Sequence, residues 1–520
     1  MAAYFLGLDY GTGSCKGCII DENLNVVSYA NREYEILTKH GGISEHDASL
    51  YWPLTCEIIQ ECLVKAGIKG EDIKAVGTSS ALPSLVMIDK KGKLLHKAYN
   101  LMDRRAYKEK QWLEEKLGNE KIYEITRNSI SDHPILVNLL WEKKNRPESF
   151  EKIGKVLTID GYIRYCLTDT TTAHLSAGIF YGVAYDIFKK EFNQEILDMI
   201  GIPRTILPEF CRCEDIVGGI TEKSAAECGL KAGTPVAGGQ VDCNAGWLGG
   251  GAITPGDIQM NLGTCGNFGV INGGEAFMQE MFNLPYTTDV ESHYITVATT
   301  VTGGQSLRYL KENFADVETM AAKTIPGLDA YDLLNMEAEK INPGSDGLIM
   351  LPYLAGERTP LWDNEARGVL FGLSLNHGRA HMIRAMMEGV AYALYDSFRY
   401  FEDRKVKMNY PIVLNEGGAK SKLWRRIITD VFGVPTVLVK SRVGAPYGDA
   451  LLAARAQGFI KDYSVVKEKV EYIDPMEPAA ENHDLYMEYF EVYRNLYSHL
   501  KQDFKDLDTI KRKHMETAKN

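Results

Sequence analysis

The chain has 520 residues, of which 45% are hydrophobic and 25% charged, and this length and composition predict a globular protein of two or more domains. Its formal net charge of −12 argues against nucleic acid or an anionic membrane as a partner, so an anion would have to be bound locally. The first residues lack the features of a signal peptide, and no stretch has the apolar length of a membrane span. Ten scattered cysteines without a disulfide framework indicate a reducing, cytoplasmic location.

The first predicted elements form a hairpin around a turn of small residues. "YFLGLDY" and "KGCIIDE" are predicted strands, and residues 26–36 form a predicted third strand. The turn between the first two consists of Gly11, Thr12, Gly13 and Ser14. Backbone N–H groups in such a turn can bind a phosphate. Asp9 stands at the mouth of the turn, where it would repel a phosphate unless a cation lay between them.

The middle of the first half alternates helix and strand. Residues 47–67 have helical spacing, and "IKAVGTSS" and "SLVMIDKKGKLL" are predicted strands after it. Residues 234–257 are rich in glycine, and their second half is predicted to be a domain junction. The polar, tyrosine-rich sequence that follows residue 476 is predicted to be a surface helix.

The second half repeats the opening pattern. "DIQMNLGTCGNFGVING" again reads as strand, small-residue turn and strand, with Gly263 and Thr264 in the turn. A third glycine site, Gly417 and Gly418, follows a predicted strand and precedes an amphipathic helix and another strand. Two α/β halves that each carry a phosphate-type turn suggest a nucleotide held in the cleft between them.

The first turn does not fit the common nucleotide-binding fingerprints. Lys16 replaces the third glycine of G-x-G-x-x-G, and the residues after it are strand-like rather than helical. The sequence contains neither a P-loop nor the protein-kinase motifs. Alone, a short sequence such as "DYGTGS" is more often a plain β-turn. The presence of a second, similar turn at Gly263 favours phosphate binding.

Other motifs have a structural alternative. Asp242 lies in "GGQVDCNAG", where glycines let the backbone approach a ligand, but an aspartate at the start of a helix is by default an N-cap. Cys15 and Cys18 match C-x-x-C, and Cys211 with Cys213 would supply a second pair. Strand positions three apart face opposite ways, so structural thiols are favoured over a zinc or redox site.

Four segments carry a resemblance to a known family. "GVLFGLSLNHGRAHMIRAMMEG" resembles the second signature of the FGGY family of carbohydrate kinases, and "LPYLAGERTPLWD" resembles a segment of its xylulokinase and gluconate kinase members. "GGAKSKLWRRIITDVFGVP" is similar to the family's adenosine-binding stretch, and "GAPYGDALLAARAQG" to its closing helix. The resemblance runs from about residue 4 to 460 in the family's order.

The resemblance implies two actin-like (ribonuclease H-like) α/β domains with ATP and Mg²⁺ between them and a small sugar as substrate. An N-terminal domain, residues 1–252, would carry the sugar and the catalytic base. A C-terminal domain, residues 253–475, would bind the nucleotide, and residues 476–520 would form a helical extension. A homodimer stays open.

Roles for individual residues follow from the same resemblance. Asp242 would accept the proton of the attacking hydroxyl, while Asp9 would face Mg²⁺ directly or through water. We expect Asp9 and Asp242 together to be catalytic and to face the metal. The residues expected at the nucleotide are Gly11, Thr12, Gly13, Ser14, Gly263, Thr264, Gly304, Gly417, Gly418 and Lys422.

The sugar-contacting positions depart from the family pattern. Xylulokinases carry Met-His where this chain has Leu82 and Pro83, so the histidine donor is missing. The W-x-D-x-R pattern survives without its tryptophan, and it retains Asp103. We expect Leu82, Pro83, Asp103 and Asp242 to contact the substrate.

The expected function is ATP-dependent phosphorylation of a small sugar. A pentulose such as xylulose has the best overall match, and a gluconate or polyol kinase is the alternative, because "SSALPS" is similar to the corresponding segment of gluconate kinases. Two other classes stay open: an actin-like ATPase or chaperone, which needs no sugar pocket, and a non-catalytic sugar sensor, which would not need both Asp9 and Asp242.

Overall fold

The computed structural model describes residues 3–131, 133–440 and 443–517. By packing, the first compact unit comprises the described residues of Met1–Thr254, Asn283–Ile295 and Val443–Val470. The second unit comprises those of Pro255–Phe282, Thr296–Arg442 and Glu471–Asn520. The expected domains 1–252, 253–475 and 476–520 stay predictions, and packing differs from them by grouping the late segment Val443–Val470 with the first unit. Residues 1, 2, 132, 441, 442 and 518–520 of these domains lie outside the described residues.

The strands are numbered in chain order. They are β1 Tyr4–Tyr10, β2 Ser14–Ile20, β3 Val26–Glu33, β4 Leu37–Lys39, β5 Ile43–His46, β6 Ile73–Ser80, β7 Val86–Asp89, β8 Ala98–Tyr99, β9 Ile153–Leu157, β10 Thr172–His174, β11 Tyr185–Asp186, β12 Glu191–Phe192, β13 Glu209–Cys211, β14 Ile216–Gly219, β15 Pro235–Ala237, β16 Gln240–Val241, β17 Asp257–Leu262, β18 Gly266–Asn272, β19 Phe282–Pro285, β20 Tyr294–Thr300, β21 Ile349–Leu351, β22 Val369–Phe371, β23 Asn409–Asn415, β24 Thr436–Val439 and β25 Tyr472–Met476.

The α-helices are numbered in the same way. They are α1 Tyr51–Ala66, α2 Tyr107–Leu117, α3 Asn119–Thr126, α4 Ile135–Asn145, α5 Pro147–Phe150, α6 Ile159–Thr168, α7 Gly178–Tyr181, α8 Gln194–Ile200, α9 Glu222–Cys228, α10 Asp242–Gly249, α11 Gly304–Phe314, α12 Asp316–Thr324, α13 Ala330–Ala338, α14 Arg379–Asp403, α15 Lys422–Phe432, α16 Ala445–Ala456, α17 Ser464–Lys469 and α18 Ala480–Thr517. Single 3-10 turns cover Ala48–Leu50, Leu175–Ala177, Arg204–Ile206, Thr287–Asp289, Ser345–Gly347 and Gly418–Lys420.

The main sheet of the first unit has the strand order β14-β15-β6-β1-β2-β3, with β16 also beside β6. Strand β1 runs antiparallel to β2 and parallel to β6. Its side chains alternate: Leu6 and Leu8 pack with the helix α1, whereas Phe5 belongs to the cluster built with α16. The sheet is therefore covered on both faces, and because of the period of two, Asp9 lies on the α16 face.

In the second unit the sheet order is β20-β18-β17-β23-β24-β25, and the long helix α14 lies buried in its core. The helix predicted after residue 476 is present as α18. One of its faces packs into the core through Tyr486, Phe490, Tyr493 and Tyr497, so only the rest of this helix is a surface. Within the described residues, no helix combines the length and apolar character that a membrane crossing requires.

Candidate active site

Three parallel strands of the first unit end at the same edge of the sheet. The register pairs Asp9 of β1 with Ser79 of β6, and Ser79 with Gln240 of β16. Neighbouring strands are about 4.8 Å apart, so β1 and β16 are separated by about 10 Å. Asp242 follows β16 directly, and the structure therefore brings the two predicted catalytic carboxylates to one sheet edge.

Asp9 is a buried carboxylate, 2% exposed, with two side-chain partners. Ser79 Oγ lies 3.2 Å from Oδ1, and Lys16 Nζ lies 3.3 Å from Oδ2 across the hairpin. Burial raises the pKa of Asp9, although Lys16 and Ser79 oppose the shift. The positive charge of Lys16 thus partly offsets the negative charge of Asp9.

The turn after Asp9 is held from one side. Its Gly11 N–H donates to Ser14 O at 2.9 Å, while the Tyr34 hydroxyl donates to Gly11 O and the Tyr34 N–H to Gly13 O at 3.1 Å. Gly13 is exposed, and a Cβ added there would meet nothing within 4 Å. The tip, with Thr12 beside Gly13, is therefore open to a ligand.

Asp242 is the first residue of α10 rather than its N-cap, which is Val241. Its Oδ1 accepts the N–H of Cys243 at 2.7 Å, and its side chain is half-buried. Two residues later, Asn244 Nδ2 donates to Pro285 O at 3.0 Å, which anchors the first turn of the helix. The backbone that carries the carboxylate is anchored, and the side chain is partly exposed to solvent. A general base needs both, because it must be positioned and must also reach the substrate hydroxyl.

The altered sugar loop follows β6. Leu82 is 8% exposed, and Pro83 is buried beside it. The loop is tied down at both ends, because Ala81 N–H donates to Tyr10 O at 2.9 Å and Ile159 N–H donates to Ser84 Oγ at 3.1 Å. The ends of the loop are thus fixed to β1 and α6, and its contact with a sugar stays a prediction.

Asp103, the other expected substrate ligand, is 0% exposed. Its two oxygens accept from Arg105, at 2.7 to 3.1 Å, and Oδ2 also accepts from Ser44 N–H at 2.8 Å. Arg105 bonds Glu45 Oε1 as well, at 2.7 Å. Asp103 is held in a buried ion-pair network, and its contact with a sugar stays a prediction.

In the second unit, the expected phosphate turn and the start of α11 lie together. Gly304 N–H donates to Gly263 O at 2.6 Å, and Gln305 N–H donates to Thr264 O at 3.1 Å. A Cβ at Gly303 would collide with the backbone of Cys265 and Gly266, so glycine is needed for this approach. Thr264 itself is exposed at the tip of the turn.

The third glycine site lies against the same strand end. A Cβ at Gly418 would be 2.8 Å from Leu262 Cβ, one residue before the turn at Gly263. Gly417 is exposed, and an added Cβ there would meet nothing within 4 Å. Lys422 is exposed at the first residue of α15. Of the expected nucleotide residues of the second unit, Gly304 and Gly418 therefore lie close to the end of β17.

Two further buried acids, one in each unit, were missed by sequence reasoning. Asp449 of α16 bonds Ser79 and Gln240. Glu357 accepts from Thr300 Oγ1 at 2.6 Å and from the N–H of Val301 at 3.0 Å, and burial raises its pKa to about 7. An acid within the otherwise small and apolar "GDALLAA" was a sequence signal for Asp449. Glu357 lies in "LPYLAGERTPLWD", a segment that was noted for the family resemblance without a role for this acid.

Across the described residues, no group of three or more His, Cys, Asp or Glu side chains is arranged to hold a metal ion. Mg²⁺ does not require such a group, because it takes one or two protein carboxylates and completes its shell with phosphate oxygens and water. Asp9 and Asp242 are carboxylates of this kind, and their contact with a metal stays a prediction.

Comparison with known proteins decides the family. The models of the "FGGY family of carbohydrate kinases", N-terminal and C-terminal domains, match residues 4–249 and 259–457. The chain belongs to this family. A xylulose kinase of Staphylococcus epidermidis is 30% identical over 506 residues, which cover 97% of this chain and 98% of that protein. A gluconokinase of Bacillus licheniformis is 27% identical over 521 residues, with 98% and 99% covered.

The crystal structure of xylulose kinase from Rhodospirillum rubrum is similar throughout, with a TM-score of 0.87, 25% identity, and 96% of this chain and 100% of that chain covered. The predicted FGGY membership and the two-domain actin-like (ribonuclease H-like) fold are therefore confirmed. The protein is a carbohydrate kinase, so the alternatives of an actin-like ATPase and of a non-catalytic sensor are set aside. FGGY kinases use ATP as the phosphate donor.

Proposed function

We propose that this FGGY kinase transfers the γ-phosphoryl group of ATP to a hydroxyl of a small sugar, of which a pentulose such as xylulose is the best-supported class. The observation that carries the proposal is the arrangement of Asp9 and Asp242 at one sheet edge, after parallel strands. Full-length similarity to a xylulose kinase supports the substrate class.

Asp242 accepts the proton of the attacking sugar hydroxyl. Its Oδ1 accepts the N–H of Cys243, which helps to fix the direction of the carboxylate. It lies at the first position of α10, where the helix N-terminus interacts favourably with a negative charge. General-base catalysis of this kind contributes about two to four decades of rate.

Asp9 holds positive charge close to the transferred group. Asp9 and Asp242 would hold Mg²⁺, which would supply positive charge beside the transferred phosphoryl group. Lys16 shares the Asp9 carboxylate at 3.3 Å, and the open N–H groups at the tip of the turn are oriented by Tyr34. Gly263 and Thr264 contact the β- and γ-phosphates, and Gly417 and Gly418 lie against the adenosine.

A gluconate kinase is the second candidate. The observation in its favour is the Bacillus licheniformis gluconokinase, which is 27% identical over nearly the whole chain. The loop at Leu82 and Pro83 bears on the choice, because it offers no side-chain donor, and proline lacks a backbone N–H as well. A buried hydroxyl left without a partner costs about 1–3 kcal/mol, so the loop faces a part of the substrate that needs no such donor.

The test is a coupled assay with ATP and Mg²⁺ against a panel of ketoses, polyols and aldonates. We expect phosphorylation of one class, with D-xylulose either a poor substrate or bound by residues that replace the histidine. Absence of sugar-dependent ADP release across the panel contradicts the proposed function.

A double exchange, Leu82→Met with Pro83→His, sharpens the substrate assignment. The exchange places a histidine donor in a loop whose ends are bonded to Tyr10 and Ile159. We expect kcat/KM for D-xylulose to rise about tenfold relative to the native sugar, which corresponds to one restored hydrogen bond. If the unmodified protein already prefers D-xylulose to every other sugar, the inference from this loop is wrong.

A further inference from the structure

Asp449, on α16, is an acid that the proposed mechanism does not use. It is 0% exposed, and each of its oxygens has a partner on a different strand of the sheet. Oδ2 lies 2.7 Å from Ser79 Oγ on β6, and Oδ1 accepts from Gln240 Nε2 on β16 at 3.0 Å. Ser79 is also a partner of Asp9, and Gln240 precedes Asp242 by two residues. One side chain thus joins the strands that carry both proposed catalytic acids.

The helix α16 reaches the sheet closely enough for this because glycines leave room for it. A Cβ at Gly7 of β1 would collide with the carbonyl of Pro446, and one at Gly77 of β6 with the carbonyl of Asp449 itself. On the other side of the helix, a Cβ at Gly448 would collide with Ala245 of α10. The Asp449 backbone is therefore clamped between β6 and α10, with little freedom to move.

Ser79 is shared by two acids. It has one hydroxyl proton but two carboxyl neighbours, Asp9 at 3.2 Å and Asp449 at 2.7 Å. Lys16 lies beside Asp9 alone of these two acids in the bonds described above. Burial, with the charge of Asp9, raises the pKa of Asp449 well above its usual range.

We propose that Asp449 is a positioning residue for phosphoryl transfer, which acts through Ser79 on Asp9 and through Gln240 on the strand that leads to Asp242. The inference rests on the proposed function, because it assigns Asp449 to the two acids that carry it. Misplacement of a reacting group by about 1 Å can lower the rate about a hundredfold, so a fixed spacing of these strands affects kcat directly.

The experiment compares two variants at this site. Asparagine has the shape of the neutral acid, accepts from Gln240 and donates to Ser79, so Asp449→Asn should keep kcat within about threefold of the unmodified enzyme. Asp449→Ala removes both links, and we expect its kcat to fall about tenfold to a hundredfold. The KM values for ATP and sugar should change less than about threefold, because neither ligand contacts Asp449.

Glu388→Gln is the matched control, since Glu388 is a buried acid on α14 that accepts from a serine hydroxyl at 2.7 Å and a backbone N–H at 3.0 Å. It lies outside the proposed machinery and should lower the melting temperature without lowering kcat of the folded fraction. A purely structural role for Asp449 predicts the same behaviour in Asp449→Ala, and that result overturns the proposal.

Two further variants keep the proposal testable if Asp449→Ala does not fold. Ser79→Ala and Gln240→Met each remove one link, and each should lower kcat with a smaller loss of stability. Folded proteins of both kinds with unmodified kcat overturn the positioning role. Failure of the proposed function is distinguishable, because the unmodified enzyme would then phosphorylate no sugar of the panel.

Discussion

The two units contain the same hairpin with different chemistry. In each, two antiparallel strands are joined by three residues that begin Gly-Thr: residues 11–13 between β1 and β2, and residues 263–265 between β17 and β18. At the ends of the strands the first hairpin pairs Asp9 with Lys16, whereas the second pairs Asn261 with Asn267. The charged pair lies 3.3 Å apart, and the amide pair is joined by a hydrogen bond of 3.2 Å.

The neighbouring parallel strands extend the contrast. Asp9 is aligned with Ser79, whose hydroxyl bonds it, whereas Asn261 is aligned with Asn415, another amide. An acid beside a phosphate needs positive charge to offset it, whereas neutral amides neither attract nor repel the anion strongly. The difference teaches that the same backbone hairpin accepts either pair, and that the ion pair occurs in the unit to which we assign metal and proton chemistry.

The strongest test of this contrast removes the proposed base. Asp242→Asn keeps the side-chain oxygen that accepts from Cys243, but it cannot take a proton from the sugar. We expect kcat to fall by about two to four decades, with the dissociation constant of ATP nearly unchanged. Steady-state kinetics and isothermal titration with ATP measure the two quantities.

Glu195→Gln is the control for this change, because Glu195 is an exposed acid in the first turn of α8 in the same unit. It should leave kcat unchanged. If Asp242→Asn stays within a few-fold of the unmodified enzyme, the carboxylate has only a structural role at the start of α10.

A double exchange converts the first hairpin to the chemistry of the second. Asp9→Asn with Lys16→Asn replaces the ion pair by the amide pair that the second hairpin already accommodates, so the fold should persist. We expect kcat to fall at least about a hundredfold, since fixed charge beside the transferred group is lost. Circular dichroism verifies the fold, and the coupled assay measures the rate.

Glu57→Gln serves as a comparison for that exchange, since it breaks the exposed pair between Glu57 and Arg32 of β3 and should change kcat by less than twofold, about 0.4 kcal/mol. Activity retained in a folded Asp9→Asn, Lys16→Asn protein would mean that the charges of the first hairpin do not distinguish it from the second.

The smallest expected effect tests the nucleotide side. Gly417→Val adds bulk at an exposed position with an ordinary helical φ of −62°, where an added Cβ meets nothing within 4 Å. We expect KM for ATP to rise roughly tenfold, or about 1.4 kcal/mol, with KM for sugar unchanged. Gly418→Val is unsuitable alone, because its Cβ would press on Leu262 and destabilise the unit by about 1–3 kcal/mol. An unchanged KM for ATP in folded Gly417→Val would place the adenosine elsewhere.

Local patterns in the sequence were sufficient to predict the two hairpins. Strands β1 and β6 were predicted with their observed ends, because apolar runs stop at glycine-rich or small-residue turns. The burial of one face of α18 was not predicted, although its aromatic residues recur with helical spacing: Tyr486, Phe490, Tyr493 and Tyr497. Its polar composition hid an amphipathic pattern that burial in a core requires.

Parts of the candidate site depend on distant contacts that no local pattern contains. Ser79 meets Asp449 across 370 positions of chain, and the sequence offers only an acid among alanines as a sign of it. The sugar contact of Asp103 stays a prediction, and its buried bonds to Arg105 and Ser44 were not predicted from the sequence. The partners of a buried carboxylate are decided by packing in three dimensions.

The late return of residues 443–470 to the first unit affects how the protein is made. Helix α16, which covers one face of the first sheet, leaves the ribosome roughly 190 residues after Thr254, a delay of about 10 to 40 s at ordinary rates of translation. Until then, apolar side chains such as Phe5 and Ala75 lack their partners on that helix. The first unit, although it begins at the N-terminus, therefore completes its folding only when nine-tenths of the chain has been synthesised.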